Sequence, residues 1–142
     1  MKKYSAWLKA AAIFQLINAG LHSISLFVSL PATNDTEKQL SNLLDTYKFD
    51  MGAGFHRTLG EMTLVFSACL SLVCLLGGLL NWYLLNKRVD AEVMKGVITI
   101  NLLVFGILFG LTLAFTFLPP MILIGLIVMS LIMARVTVNR NG

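Results

Sequence analysis

Charge is what this chain has least of. Charged side chains make up 13% of the 142 residues and hydrophobic ones 57%, whereas an ordinary soluble domain is about one-quarter charged. With a mean hydropathy of +0.80, a soluble globular domain is excluded, and the apolar surface is expected to meet lipid. The little charge present is unbalanced, with 11 basic against 7 acidic residues and a net +4. Nucleic-acid binders place such charge in one stripe with interleaved aromatics. Here the lysines and arginines sit at the ends of apolar runs, so no nucleic-acid partner is expected.

Reactive side chains are just as scarce. The chain has 2 cysteines and 2 histidines. Cys69 and Cys74, five residues apart, would lie about 140° apart around one helix and cannot easily pair. They lack the cationic, wet surroundings that activate a thiol and read as small packing residues. His22 and His56 show none of the spacings of a metal site. Nucleophile-elbow and phosphate-binding glycine motifs are missing too. No cofactor, metal or catalytic residue is therefore expected. Alternating strand patterns are absent, and the 3 prolines fall at the ends of apolar runs.

What remains is long apolar runs, and they define the fold class. A bilayer core of about 30 Å takes roughly 20 residues of helix. The runs predict an all-α membrane protein of one domain, 1–142: a four-transmembrane-helix bundle with spans near 6–30, 55–85, 94–118 and 120–138. The first run is too long and too polar for a cleaved signal peptide, whose apolar core is roughly 7–15 residues, so a retained span is expected. Asn34 followed by Glu37 suggests a capping box. Leu40, Leu43, Leu44, Tyr47 and Met51 then share one face, predicting a short amphipathic surface helix over about 35–50. Gly52 and Gly54 loosen the entry to span two. The last span, Met121 to about Val136, is the shortest and needs Arg135 to snorkel. Gly106, Gly110 and Ala114 form a small-residue seam suited to close packing, inside one chain or in a homo-oligomer.

Polar residues inside spans are the candidates for function, because they are costly in lipid. Gln15, Asn18, His22, Ser25 and Ser29 fall within an arc of about 80° at 100° per residue. They serve either as helix–helix glue or as the lining of a ligand cavity. Arg57 and Glu61, one helical turn apart, open span two. Antiparallel packing of the first two spans would bring His22, Arg57 and Glu61 together in the outer half, with Asn18 and Gln15 deeper. The group is either a proton or polar-ligand site, or an ion pair that fixes helix register. In span two, Gly60, Ser67, Ser71, Cys74 and Gly78 share one side and allow close helix approach.

With RTLGEMTLVFSACLSL (57–72) and FTFLPPMILIGLIVMSLIMA (115–134) in view, the chain resembles a group of uncharacterised small four-helix bacterial inner-membrane proteins. The likeness rests on a histidine in span one, an outer amphipathic segment, Arg-x-Leu opening span two and proline opening span four. Where those relatives often carry Trp-Asp this chain has Gly60-Glu61. The resemblance implies a bacterial inner-membrane location and no established activity. A weaker resemblance is to the membrane-associated eicosanoid and glutathione metabolism proteins, whose second span holds Arg, Asn and Glu for glutathione. Arg57 and Glu61 match that pattern, while Thr58, Leu59 and Gly60 supply no amide. The expected function is non-enzymatic binding of a lipid, small amphiphile or partner span through the outer polar site. A glutathione-using enzyme and a proton-coupled small transporter are the alternatives.

Basic residues orient the spans. Lys2, Lys3, Lys9, Lys87, Arg88, Lys95, Arg135 and Arg140 fall on one side, and Lys38, Lys48 and Arg57 on the other. That excess places both termini in the cytoplasm. Single cysteines at Ser41 and Asp90, introduced after removal of Cys69 and Cys74, are therefore expected to label from opposite sides of intact cells. Labelling of both from outside contradicts four spans.

Overall fold

The computed structural model describes residues 3–28, 31–87 and 89–139. In chain order they form α1 (Lys3–Ser25), α2 (Asp35–Thr46), β1 (Lys48–Asp50), β2 (His56–Thr58), α3 (Leu59–Asn86), α4 (Ala91–Phe115) and α5 (Leu118–Asn139). α3, α4 and α5 are long and apolar enough to cross a membrane. Their 28, 25 and 22 residues span about 42, 38 and 33 Å, each more than a bilayer core. Within their most apolar windows only 17%, 22% and 33% is buried against protein. Many of the remaining positions are exposed, as suits helices whose apolar faces meet lipid. α1 is long enough, at 23 residues, but its polar residues leave it outside this apolar set.

Contacts divide the chain into two compact units: Met1–Ala19 with Val73–Gly142, and Gly20–Leu72. The first holds the core. Its buried positions step by three and four along each helix: Tyr4, Leu8, Ala11, Gln15 and Asn18 on α1; Cys74 and Asn81 on α3, with Gly78 between them; Met94, Ile98, Asn101 and Phe105 on α4; Ile124, Ile127, Leu131, Ala134 and Val138 on α5. Such alternation keeps one narrow seam of each helix turned toward its neighbours. α4 and α5 run antiparallel, since Arg135 Nε donates to the Thr99 hydroxyl at 2.9 Å, while Phe109 closes over Gly125 some ten residues earlier on α5. Pro119 and Pro120 lie in the first turn of α5, where a missing N–H costs nothing.

The second unit is built from turn chemistry. Asn34 caps α2, its side chain accepting from the Glu37 N–H at 2.9 Å. The Glu37 carboxylate turns to Thr33, accepting from its backbone N–H at 2.6 Å and its hydroxyl at 2.8 Å. β1 and β2 pair antiparallel, Lys48 opposite Thr58 and Asp50 opposite His56. The connecting turn places Gly52, Ala53 and Gly54 at φ of +80°, +51° and +82°, a region glycine enters freely and alanine does not. The Gly52 N–H donates to the Asp50 carboxylate at 2.9 Å. Tyr47 and Phe49 meet edge to face at 4.9 Å.

Several expectations need correcting. A strand pair exists, and it takes the end of the expected surface helix and the start of the expected second span. α2 stops at Thr46 and α3 begins at Leu59. Three residues per strand are too few for an alternating pattern to register. Gly52 and Gly54 tighten the chain into a hairpin rather than loosening it. α1 ends at Ser25, closed by i→i+3 bonds from Leu26 and Phe27 to Ser23 and Ile24. Ser29, Lys2, Arg88 and Arg140, which entered the stripe and the orientation argument, lie outside the described residues, as do the side chains of Lys3 and Ser25. α4 starts three residues before the expected 94 and stops at Phe115. α5 is six residues longer than the expected 121–136, with Arg135 one turn before its end.

The Thr33 amide and then its hydroxyl hold the Glu37 carboxyl below its usual value of 4.5. A depressed folded-state value stabilises the α2 start fully above pH 4.5, and that contribution is lost as pH falls through the folded value. Protection factors for amides 35–38, corrected for intrinsic exchange, are expected to fall on acidification below 4.5. Glu37→Gln should remove most of that dependence.

Candidate functional site

Polar chemistry collects in two places, one in each unit. The first is a layer of carboxamides. Gln15 Nε2 donates to Asn101 Oδ1 at 3.2 Å, and Asn81 Nδ2 donates to Gln15 Oε1 at 2.9 Å and to Asn101 Oδ1 at 3.3 Å. Asn101 Nδ2 donates to Asn81 Oδ1 at 3.5 Å and to the Val97 carbonyl at 3.0 Å. Three helices, α1, α3 and α4, are thereby joined by side chains that are 0%, 0% and 7% exposed. Beside this layer, Asn18 Nδ2 donates to Cys74 Sγ at 3.1 Å.

Glycines on α3 make the layer fit. A Cβ on Gly77 would stand 2.8 Å from Gln15 Nε2 and 3.2 Å from Phe105 Cε2. On Gly78 it would meet the Leu16 side chain at 2.8 Å and the Ala12 carbonyl at 3.1 Å. Only hydrogen fits at either position without movement, which lets the α1 backbone approach α3 closely. Among the described residues, no buried side-chain nitrogen or oxygen lacks a hydrogen-bond partner. The layer contains no ionisable group, so it has the chemistry of a helix clasp rather than of a proton relay.

The second place is where the chain enters α3. Glu61 N–H donates to the Thr58 hydroxyl at 3.1 Å, and the Thr58 N–H donates to Glu61 Oε2 at 3.0 Å. This reciprocal pair is a capping box closing the first turn of α3, with the carboxylate at the end of the helix whose dipole favours it. α2 lies over the same turn, Asp45 Oδ1 standing 2.7 Å and the Leu44 carbonyl 3.2 Å from where a Gly60 Cβ would sit. Arg57 is on β2, so the helical i,i+4 relation to Glu61 expected from the sequence does not arise. Among the described residues, Lys38 with Asp35 is the ion pair that forms; Arg57 and Glu61 are not within 4 Å as a pair. Both are exposed, and both line an open groove of about 410 Å³ whose other walls are Met62, Leu64, Val65 and Phe66.

The sequence candidates fall in both units, Gln15 and Asn18 in the first and His22, Arg57 and Glu61 in the second. Gln15 and Asn18 lie in the carboxamide layer and its flank, whereas Arg57 and Glu61 belong to the groove. His22 is half-buried in the last turn of α1. Gly106 and Gly110 have no atom within 4 Å of a would-be Cβ and Ala114 is exposed, so that face of α4 is open. Among the described residues, no group of three or more His, Cys, Asp or Glu could hold a metal. Three participants, Asn81, Asn101 and Thr58, were not among the sequence candidates. Asn81 continues the Ser71, Cys74, Gly78 stripe by three more residues, and that spacing could have found it. Thr58–Glu61 is a T-x-x-E pattern directly before an apolar run, the same signal that revealed Asn34–Glu37.

Comparison with protein-family models, curated proteins and solved structures finds no match.

Replacing Asn81 by Leu leaves Gln15 Oε1 without a donor and removes two of the bonds of Asn101, while Gln15 Nε2 to Asn101 Oδ1 and Asn101 Nδ2 to the Val97 carbonyl remain. Three bonds at about 0.6 kcal/mol each, the mean for interhelical bonds in membrane proteins, give a loss of roughly 2 kcal/mol. The triple change Gln15→Leu, Asn81→Leu, Asn101→Leu should recover part of it, because no polar group is then left unpaired. Reversible unfolding in mixed micelles measures both; equal stability of wild type and Asn81→Leu contradicts the clasp.

Proposed function

We propose that this protein is a four-span, non-enzymatic protein of the bacterial inner membrane, both termini cytoplasmic, that holds a membrane amphiphile in the groove at the start of α3. The observation that carries the reading is the composition of that groove. Two opposite charges, Arg57 and Glu61, stand at one end, and Leu64, Val65 and Phe66 follow within about two helical turns. A molecule with a polar head and an apolar tail matches that order. In this arrangement α1 is the fourth span, its polar seam turned to the carboxamide layer, and α2 with the hairpin lies outside the membrane core. The open Gly106–Gly110–Ala114 face is available to a second copy.

The enzymatic alternative draws less support. The glutathione-using kind needs an amide beside its Arg and Glu, and the groove has none; Gln15, Asn81 and Asn101 hydrogen-bond to one another instead. A proton-coupled transporter needs an acid near midplane, whereas Glu61 is an exposed residue of the first turn.

Native mass spectrometry of the protein released from membranes tests the reading. Wild type should carry a phospholipid mass, and Arg57→Ala should lose most of it. Lys95→Ala, in the first turns of α4 and not among the residues that line the groove, should not. Retention unaffected by Arg57→Ala removes the groove as the binding place.

A further inference from the structure

The two charges in the groove specify more than an amphiphile. The Arg57 guanidinium has no hydrogen bond or ion pair among the described residues. Glu61 commits Oε2 to the Thr58 N–H, which leaves Oε1 without a donor among the described residues. Both line the same groove, yet they do not neutralise each other. A ligand that satisfies both must carry a negative and a positive group close together, next to an apolar tail.

We infer that the occupant is an aminophospholipid of the phosphatidylethanolamine class, its phosphate on Arg57, its primary ammonium on Glu61 and an acyl chain along Leu64, Val65 and Phe66. This rests on the groove reading above and adds the headgroup. A guanidinium presents a planar fork that binds phosphate oxygens in pairs. A carboxylate oxygen is an acceptor only, and a primary ammonium offers it three donors. A quaternary choline head has no N–H to give and is recognised by aromatic cages; Phe66 is the one aromatic wall here. A glycerol head would satisfy Arg57 with the same phosphate but offers Glu61 only neutral hydroxyls, with no cation to offset the carboxylate. The order along the chain also fits the bilayer: the charges sit at the entrance of a membrane-crossing helix, and the apolar wall begins one residue after Glu61.

The test is competition. Purified full-length protein is offered equimolar phosphatidylethanolamine, phosphatidylcholine and phosphatidylglycerol with identical acyl chains, and retained lipid is read by native mass spectrometry. Wild type should favour the ethanolamine lipid on the order of tenfold, the scale of one charge-assisted hydrogen bond. Glu61→Gln keeps the capping box, which accepts Gln as well as Glu, so α3 still starts correctly. This variant should retain phospholipid but lose the preference for ethanolamine over choline. Arg57→Ala should lose all three lipids. Equal retention of the three heads, or preference for the glycerol head, with Arg57 still required overturns the headgroup assignment and leaves the groove in place. A preference that survives Glu61→Gln overturns it as well. Retention that does not depend on Arg57 overturns the groove itself.

Discussion

Everything in the larger unit depends on three carboxamides finding one another. A buried amide without a partner is expensive, and in hydrocarbon there is no water to serve as one. Gln15, Asn81 and Asn101 meet this by exchanging bonds across three helices. They also occupy seam positions that leucine could fill. A polar layer in such a seam adds little net stability, but only one register of the helices satisfies it. Apolar seams such as Ile124–Ile127–Leu131 on α5 can slide a turn and still bury carbon; the carboxamide layer cannot. Gly77 and Gly78 are part of the same constraint, since the layer closes only if α1 comes within backbone distance of α3.

The same rule, applied to a helix end, governs the smaller unit. The first turn of α3 has N–H groups with no helical acceptor, and Thr58 and Glu61 close it between them. Glu61 is therefore a helix start before it is anything else. This bears on why Arg57 is left over: the acid that would neutralise it in a continuous helix is held by Thr58, and β2 carries Arg57 in extended backbone instead of in the turn below. An uncompensated arginine at the mouth of an apolar helix follows from the local fold.

Much of this was legible in the sequence, and the limits are physical. Long apolar runs fix helices whatever surrounds them, so α3, α4 and α5 follow from composition alone. The inward turn of Gln15 and Asn18 was readable because a helix imposes a 100° step, and lipid repels amides from one side. The partner on α3 was hidden for the opposite reason. Asn81 stands beside Trp82 and Tyr83, which are exposed, and only its register with Cys74 and Gly78 marks it as buried. The hairpin was not readable at all. Lys48–Asp50 and His56–Thr58 carry no pattern, and the turn is set by backbone angles at Gly52–Gly54 that composition signals only as looseness. That misplaced the start of α3 by four residues, and with it the relation of Arg57 to Glu61.

What separates the two polar places is whether their bonding capacity is closed. In the carboxamide layer every buried polar side-chain atom has a protein partner, so a ligand could enter only by displacing bonds that define the helix register. Binding there would have to cost fold. At the groove, one carboxylate oxygen and a whole guanidinium have no partner among the described residues, and a ligand's charges would add bonds without breaking any. The first arrangement suits a scaffold and the second suits recognition. This is why the proposed binding is assigned to the groove: in a chain this poor in charge, it carries two opposite charges that have no ion-pair partner among the described residues.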